Sequence, residues 1–236
     1  RDDGNVVGLV LTGSRGNRFC VTDASDWDIR LVVRDGARDD YRARLGTPHG
    51  SALEVVVLTL DALAAVGELG SPSARDRPSY VHAQVVVDTD GRVGAVVDSL
   101  RALTPEPAHA LAAETLDDYV NSYHRSAKSH RLGHGIEAHL DAAESIPRLL
   151  DTLFALNGRV RPFNKLLRFE LEQRPLDGDV WATGSLLQRL EKIVATGDLA
   201  EQQRLFRDVE GLARAHGLGD VIDGWEPDVP RLRGES

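Results

Sequence analysis

The sequence predicts an α/β (α+β) chain in which a small mixed sheet flanked by helices is followed by an α-helical bundle, and three observations predict it. Short apolar runs of strand length alternate with helix-like pieces through the first hundred residues. Two prolines in "TPEPAHA" (104–110) then break the pattern, and beyond His109 apolar residues recur at helical spacing. A domain boundary is therefore expected between 1–104 and 105–236. The 236 residues fit one large domain or two of ordinary size, and with 42% of them hydrophobic there is enough apolar material for a core.

In chain order, Val6 to Leu11 reads as a buried strand closed by the turn Thr12-Gly13-Ser14, and Asp28 to Val33 as a second strand ended by "RDGARDD". A short helix is expected over Asp39 to Leu45, then the Gly/Pro loop "GTPHGS", then a Val-rich third strand from Leu53 to Leu60. A further strand ends near Asp88, turns through Asp90-Gly91 and leads into a helix from about Val93. In the second half the helical stripes are Leu111, Leu116, Tyr119 and Tyr123, then Leu149, Leu150, Leu153 and Phe154, then Leu186, Leu187, Leu190 and Ile193. The tail "WEPDVPRLRGES" is Pro-rich and polar and is expected to be loosely ordered.

Composition excludes several classes. No segment approaches the roughly 20 apolar residues of a membrane-spanning helix, and "RDDGN" lacks the apolar stretch of a signal peptide, so a cytoplasmic protein without a membrane partner is expected. Cys20 is the only cysteine, which rules out an intramolecular disulfide and a cysteine-based metal site and leaves a buried or bystander thiol. A net charge of −9, from 28 basic and 37 acidic residues, argues against duplex nucleic acid as a partner. The sequence contains no methionine, even at its first position, so it is expected to be truncated or short of residues.

The stretch "LTGSRGNRFCVTDASDWDIRLVV" carries the chemistry. On a strand, Asp26, Asp28 and Arg30 share one face and Trp27, Ile29 and Leu31 the other. Two adjacent carboxylates repel each other, and a divalent cation between them relieves the repulsion. Hard oxygen ligands with open positions suit Mg²⁺ shared with a substrate phosphate. Glu54, near the start of "ALEVVVLTL", is a charge in an apolar run and needs a partner. Upstream, Gly13-Ser14 opens the helix-like piece "RGNRF", where backbone N–H groups, a hydroxyl, Arg15 and Arg18 would receive an anion.

Gly13-Ser14, an eleven-residue gap, Asp26-Trp27-Asp28-Ile29 and the later strand acid Glu54 together resemble the signature of the polymerase-β-like nucleotidyltransferase superfamily. The resemblance covers residues 6 to 100 by motif and, more loosely, the two-domain plan of the small-molecule adenylyltransferases that modify antibiotics. It implies that Asp26 and Asp28 bind metal, that Glu54 binds metal or serves as base, and that Gly13 and Ser14 contact the triphosphate. Thr12 departs from the apolar residue usual before the glycine. "LNGRVRPFNKLLRFEL" (Leu156 to Leu171) is also similar to a segment of bacterial members with a helical C-terminal domain, which implies that Lys165 reaches the triphosphate across a cleft between the domains.

The implied enzyme is a nucleotidyltransferase that moves AMP from ATP to a hydroxyl of a small-molecule acceptor and releases pyrophosphate. Two Mg²⁺ ions would clamp the triphosphate, and Glu54 would take the proton. It would be a monomer or homodimer. Glu114, Asp117, Asp118, Glu137, Asp141 and Glu144 would suit a polycationic aminoglycoside, or else form a solvated helix face. The alternatives are an antitoxin-type transferase acting on a protein or tRNA, and a non-catalytic nucleotide-binding module. Arg125 and His130 resemble the Arg-His motif of the HEPN ribonucleases, whose helical domains accompany nucleotidyltransferases. His130 and His134 have the spacing of helical metal ligands, but Gly133 and Gly135 interrupt the helix, and a solvated face is expected there.

Overall fold

The computed structural model describes residues 3–19, 21–68 and 70–235; Cys20 and its expected bystander thiol lie outside the described residues. The chain divides into two compact units. The first runs up to Leu103 and includes Pro162–Phe169, and the second comprises Thr104–Arg161 and everything from Glu170 onward.

The first unit is built on a four-stranded mixed sheet. Its strands are β1 (Val6–Thr12), β2 (Trp27–Val33), β3 (Leu53–Leu58) and β4 (Gln84–Asp88), in the order β3-β2-β1-β4. β1 is antiparallel to both β2 and β4, whereas β2 and β3 are parallel. The helices are α1 (Gly13–Asn17), α2 (Arg38–Leu45), α3 (Leu60–Ala64) and α4 (Arg92–Arg101).

Strand alternation explains the layering. Val32 joins Val7, Val10, Leu63, Val93 and Val97 on one face of the sheet, while Leu31 and Val33 meet Tyr41 and Val57 on the other. A sheet covered on both faces needs the continuous apolar run that Leu31 to Val33 supplies. The third strand stops at Leu58, two residues short of the sequence expectation, because Thr59 caps α3. Its hydroxyl accepts the Ala62 N–H at 3.1 Å.

The second unit is helical: α5 (Pro105–Arg131), α6 (Gly135–Leu156), α8 (Thr183–Thr196), α9 (Leu199–Ala215), α10 (Gly219–Asp223) and α11 (Val229–Leu232); α7 (Leu167–Gln173) precedes α8, and its first three residues belong to the first unit. The periodic stripes face inward, so that Leu116, Tyr119, Tyr123, Leu149, Leu153, Phe154, Leu186 and Ile193 are all buried. The tail corrects the sequence reading. Pro230 lies in the first turn of α11, where a missing N–H costs nothing, Val229 and Leu232 are buried, and Tyr123 Oη donates to the Leu232 carbonyl at 2.7 Å. Among the described residues, no helix is long and apolar enough to cross a membrane.

Candidate active site

Strand register assembles the site. Thr12 at the end of β1 pairs with Asp28 on β2, and Asp28 pairs with Glu54 on β3. The turn that follows Thr12 therefore meets the acid of the neighbouring strand. Gly13 has φ +63°, and a Cβ built there would lie 1.8 Å from Asp28 Oδ2. Only glycine satisfies both demands, the left-handed backbone and the carboxylate resting against its Cα.

Around this point lies a cavity of about 220 Å³ lined by residues of the first unit alone, among them Thr12, Asn17, Asp28, His49, Glu54 and Lys165. Lys165 enters it from the segment Pro162–Phe169, which clusters with the sheet unit and not with the helical one to which the sequence reading assigned it. Phe169 of that segment stacks on Phe19, ring centroids 4.4 Å apart, and meets His82 edge-on.

Asp26 sits immediately before β2 rather than on it, and is half-buried. Asp28 is pushed above its ordinary carboxylate value, first by burial and then by the negative charge of Asp26; Arg30 and Lys165 offset part of this, while Glu54 adds to it. Glu54 is buried but held below its ordinary value. Desolvation alone would raise it, yet the Gly50 N–H at 3.2 Å, His49 Nδ1 at 2.6 Å and Arg30 Nη1 at 3.4 Å together outweigh that. The partner that Glu54 needs is thus an arginine and a histidine. Among the described residues, no three His, Cys, Asp or Glu side chains converge as a metal-ligand set.

Three other expected residues have structural partners. Arg15 donates from Nε to the Ser25 carbonyl at 3.0 Å and lies 4.6 Å over the Trp27 ring, which is why an exposed tryptophan is tolerated on β2. Arg18 closes α1 in the left-handed conformation and donates to Gln84 Oε1 at 2.9 Å. Gln84 in turn holds the carbonyl of Gly16. These two arginines brace the loop between β1 and β2. Ser14 is half-buried on α1.

In the helical unit, Arg125 pairs with Asp141 at 3.0 Å and Glu144 at 2.7 Å, and His130 donates from Nε2 to the Gly197 carbonyl at 2.9 Å. Asp118 pairs with Arg148 at 3.5 Å, and Asp117 accepts from Trp225 Nε1 at 2.9 Å. Four of the six acids considered for a polycation already have partners within their own unit.

Sequence reasoning missed His49 and Asn17. His49 belongs to the "GTPHGS" loop, where no periodicity marks it. Asn17 ends α1, and its Oδ1 is buried with no hydrogen-bond partner among the described residues, an acceptor that a ligand in the cavity could satisfy.

Among solved structures, the chain is similar to the crystal structure of a nucleotidyltransferase-like protein from Exiguobacterium sibiricum 255-15. The identity is 11% and the TM-score 0.42, over 87% of this chain and 74% of that one. No protein-family model matches the chain, and no curated protein matches it.

Proposed function

We propose that this protein is a Mg²⁺-dependent nucleotidyltransferase that transfers a nucleoside monophosphate, AMP from ATP, to the hydroxyl of a small-molecule acceptor. The observation that carries the reading is the approach of the Asp28 carboxylate to the Cα of Gly13, beside Asp26 and in register with Glu54, on one cavity. A structural aspartate has no need of a turn glycine at its tip. A carboxylate that must share a cation with a phosphate bound at that turn does need one.

Asp26 and Asp28 fit Mg²⁺. They are hard oxygen donors whose mutual repulsion a cation would relieve, and two protein carboxylates are what Mg²⁺ takes when phosphate and water complete its shell. Bound there, the ion would neutralise triphosphate charge and acidify the attacking hydroxyl. Lys165, which lines the same cavity as Asp28, would hold the triphosphate, and Asn17 Oδ1 would accept a hydrogen bond from a ligand hydroxyl or amine. The Gly13-Ser14 turn would hold phosphate through its N–H groups and hydroxyl. Arg15 and Arg18 would keep that turn in place rather than touch the nucleotide.

The test is incubation with ATP labelled at the α-phosphate, Mg²⁺ and an acceptor panel that includes kanamycin and a cell lysate. Labelled small molecule with matching pyrophosphate release is the expected result. Label on protein or tRNA would shift the acceptor class, and no pyrophosphate from any mixture would overturn the reading.

A further inference from the structure

β3 is an edge strand, and its hydrogen bonds show how much of that edge is covered. In a parallel ladder alternate residues bond to the neighbouring strand, and the residues between them point away from it. The Trp27 N–H donates to the Ala52 carbonyl at 3.0 Å, so the even-numbered residues of this run face β2 and the odd-numbered ones face outward. Val55 fits that parity: its carbonyl accepts the Thr47 N–H at 3.2 Å, and its own N–H donates to Thr47 Oγ1 at 2.7 Å. Val57, two residues on, presents its N–H and C=O the same way, and among the described residues neither has a partner there.

A groove of about 440 Å³ lies along this edge, lined by β3 from Val55 to Leu58, by the loop that carries Thr47, and by Arg38 and Arg42 of α2. Tyr41 anchors α2 to the sheet, buried with Leu31, Val33 and Val57, and the two arginines stand one helical turn apart around it. No acid lines the groove, although the chain carries 37 acidic residues against 28 basic ones. Arg38 Nε is buried with no hydrogen-bond partner, and among the described residues neither arginine is in an ion pair. A buried guanidinium nitrogen without an acceptor has lost water and gained nothing in return, which points to an anion from outside.

We propose that this groove binds the free C-terminal residue of an extended peptide. The N–H of that residue would donate to the Val57 carbonyl, and its carboxylate would accept from the Val57 N–H and from Arg38 and Arg42. One backbone acceptor, one backbone donor and two guanidinium groups call for an N–H beside an anion, which is what the last residue of a chain carries. A longer added strand does not fit, because Thr47 already fills the outer side of Val55 and Thr59 caps α3. A second copy of this chain, added edge to edge, would set Arg38 and Arg42 near their own counterparts with no acid in the groove to neutralise them. The groove shares no lining residue with the cavity that holds Asp28, and the inference is independent of the transferase reading.

The test is an NMR titration of the full chain with the peptide acetyl-Ala-Thr-Val as its free acid. The Val57 amide signal should shift with a Kd of about 1 mM, and its hydrogen exchange should slow. The same peptide closed as a C-terminal amide should bind at least about tenfold more weakly, and so should the free acid to the double variant Arg38→Ala, Arg42→Ala. Neither arginine holds another side chain, so that variant should fold, and unmoved Leu31 and Tyr41 signals check that it does. A Val57 amide that stays in place at about 10 mM peptide, tenfold above that Kd, overturns the proposal, as does equal binding of acid and amide. Inorganic phosphate bound as tightly as the free acid overturns it in favour of a plain anion site. Self-association that protects the Val57 amide before any peptide is added overturns it too, by giving the edge to a second copy.

Discussion

The two units treat their carboxylates differently. In the helical unit every buried carboxylate among the described residues is paired with arginine. Glu170, fully buried, is held by Arg159 and by Arg174 at 2.7 Å; Glu201 by Arg189 at 2.9 Å and Arg204 at 2.8 Å; Glu210 by Arg214 at 2.9 Å and Arg233 at 2.6 Å. In the sheet unit the buried Glu54 follows the same rule, but the half-buried Asp28 does not. The charge of Asp26 acts on it, it rests against a glycine, and it is left above its ordinary value. The lesson is a way to separate structural acids from functional ones. An acid the fold has compensated stabilises the fold, whereas an acid left under-compensated beside a second acid marks a candidate binding position.

The sharpest way to break the contrast is Asp28→Asn. Pyrophosphate release should drop by roughly 10³-fold, the upper end of what losing one preorganised charge-stabilising group costs, while Tm stays level or rises because like-charge repulsion is gone. Full activity would make Asp28 an ordinary strand-end acid. Gly13→Ala should injure both properties: the left-handed backbone costs about 1–2 kcal/mol for a residue with a Cβ, and the new methyl must displace the Asp28 carboxylate. A urea-melt midpoint and a turnover rate, measured on the same preparation, report the two losses.

Glu201→Gln should show the converse pattern, a stability loss of about 1–3 kcal/mol with turnover per folded molecule unchanged. The pH dependence gives the sign. Burial would raise Glu201, but its bonds to Arg204 and Arg189 outweigh that and lower it; Glu210 is lowered first by Arg233. Both groups therefore contribute stability that is complete above the unfolded carboxylate value of about 4.3 and is lost as pH falls through the lowered folded values. The wild-type urea midpoint should fall on acidification below that point, and the Glu201→Gln curve should fall less. Lys165→Ala is the smallest effect: MgATP affinity by calorimetry should weaken by about tenfold, the equivalent of roughly 1.4 kcal/mol, with little change in Tm because the side chain is exposed. Unchanged affinity returns Lys165 to the solvent.

Much of this arrangement was legible in sequence because turn chemistry and strand period are local signals. A Gly-Ser turn after one strand, Asp-x-Asp at the start of the next and an acid entering a third can be read one element at a time, and the register then sets Thr12, Asp28 and Glu54 in a row. What escaped the reading depends on distance along the chain. Arg15 and Arg18 resemble anion ligands until Ser25, Trp27 and Gln84 are seen to occupy them. His49 is a lone loop histidine until the β3 register brings Glu54 beneath it, and the tail resembles disorder until Val229 and Leu232 find the core.

The sheet unit is also discontinuous in the chain, and this has a consequence for synthesis. A ribosome that has released residues 1–103 has made four strands and the paired acids, but not Phe163, Lys165 or Phe169. Sixty further residues must be translated to reach Phe163, and sixty-six to reach Phe169, before those three can join the sheet. Until then Phe19 lacks its stacking partner and the cavity lacks its lysine, so the cavity is completed only after a long stretch of the helical unit has been made, although Asp26 and Asp28 lie well upstream of it.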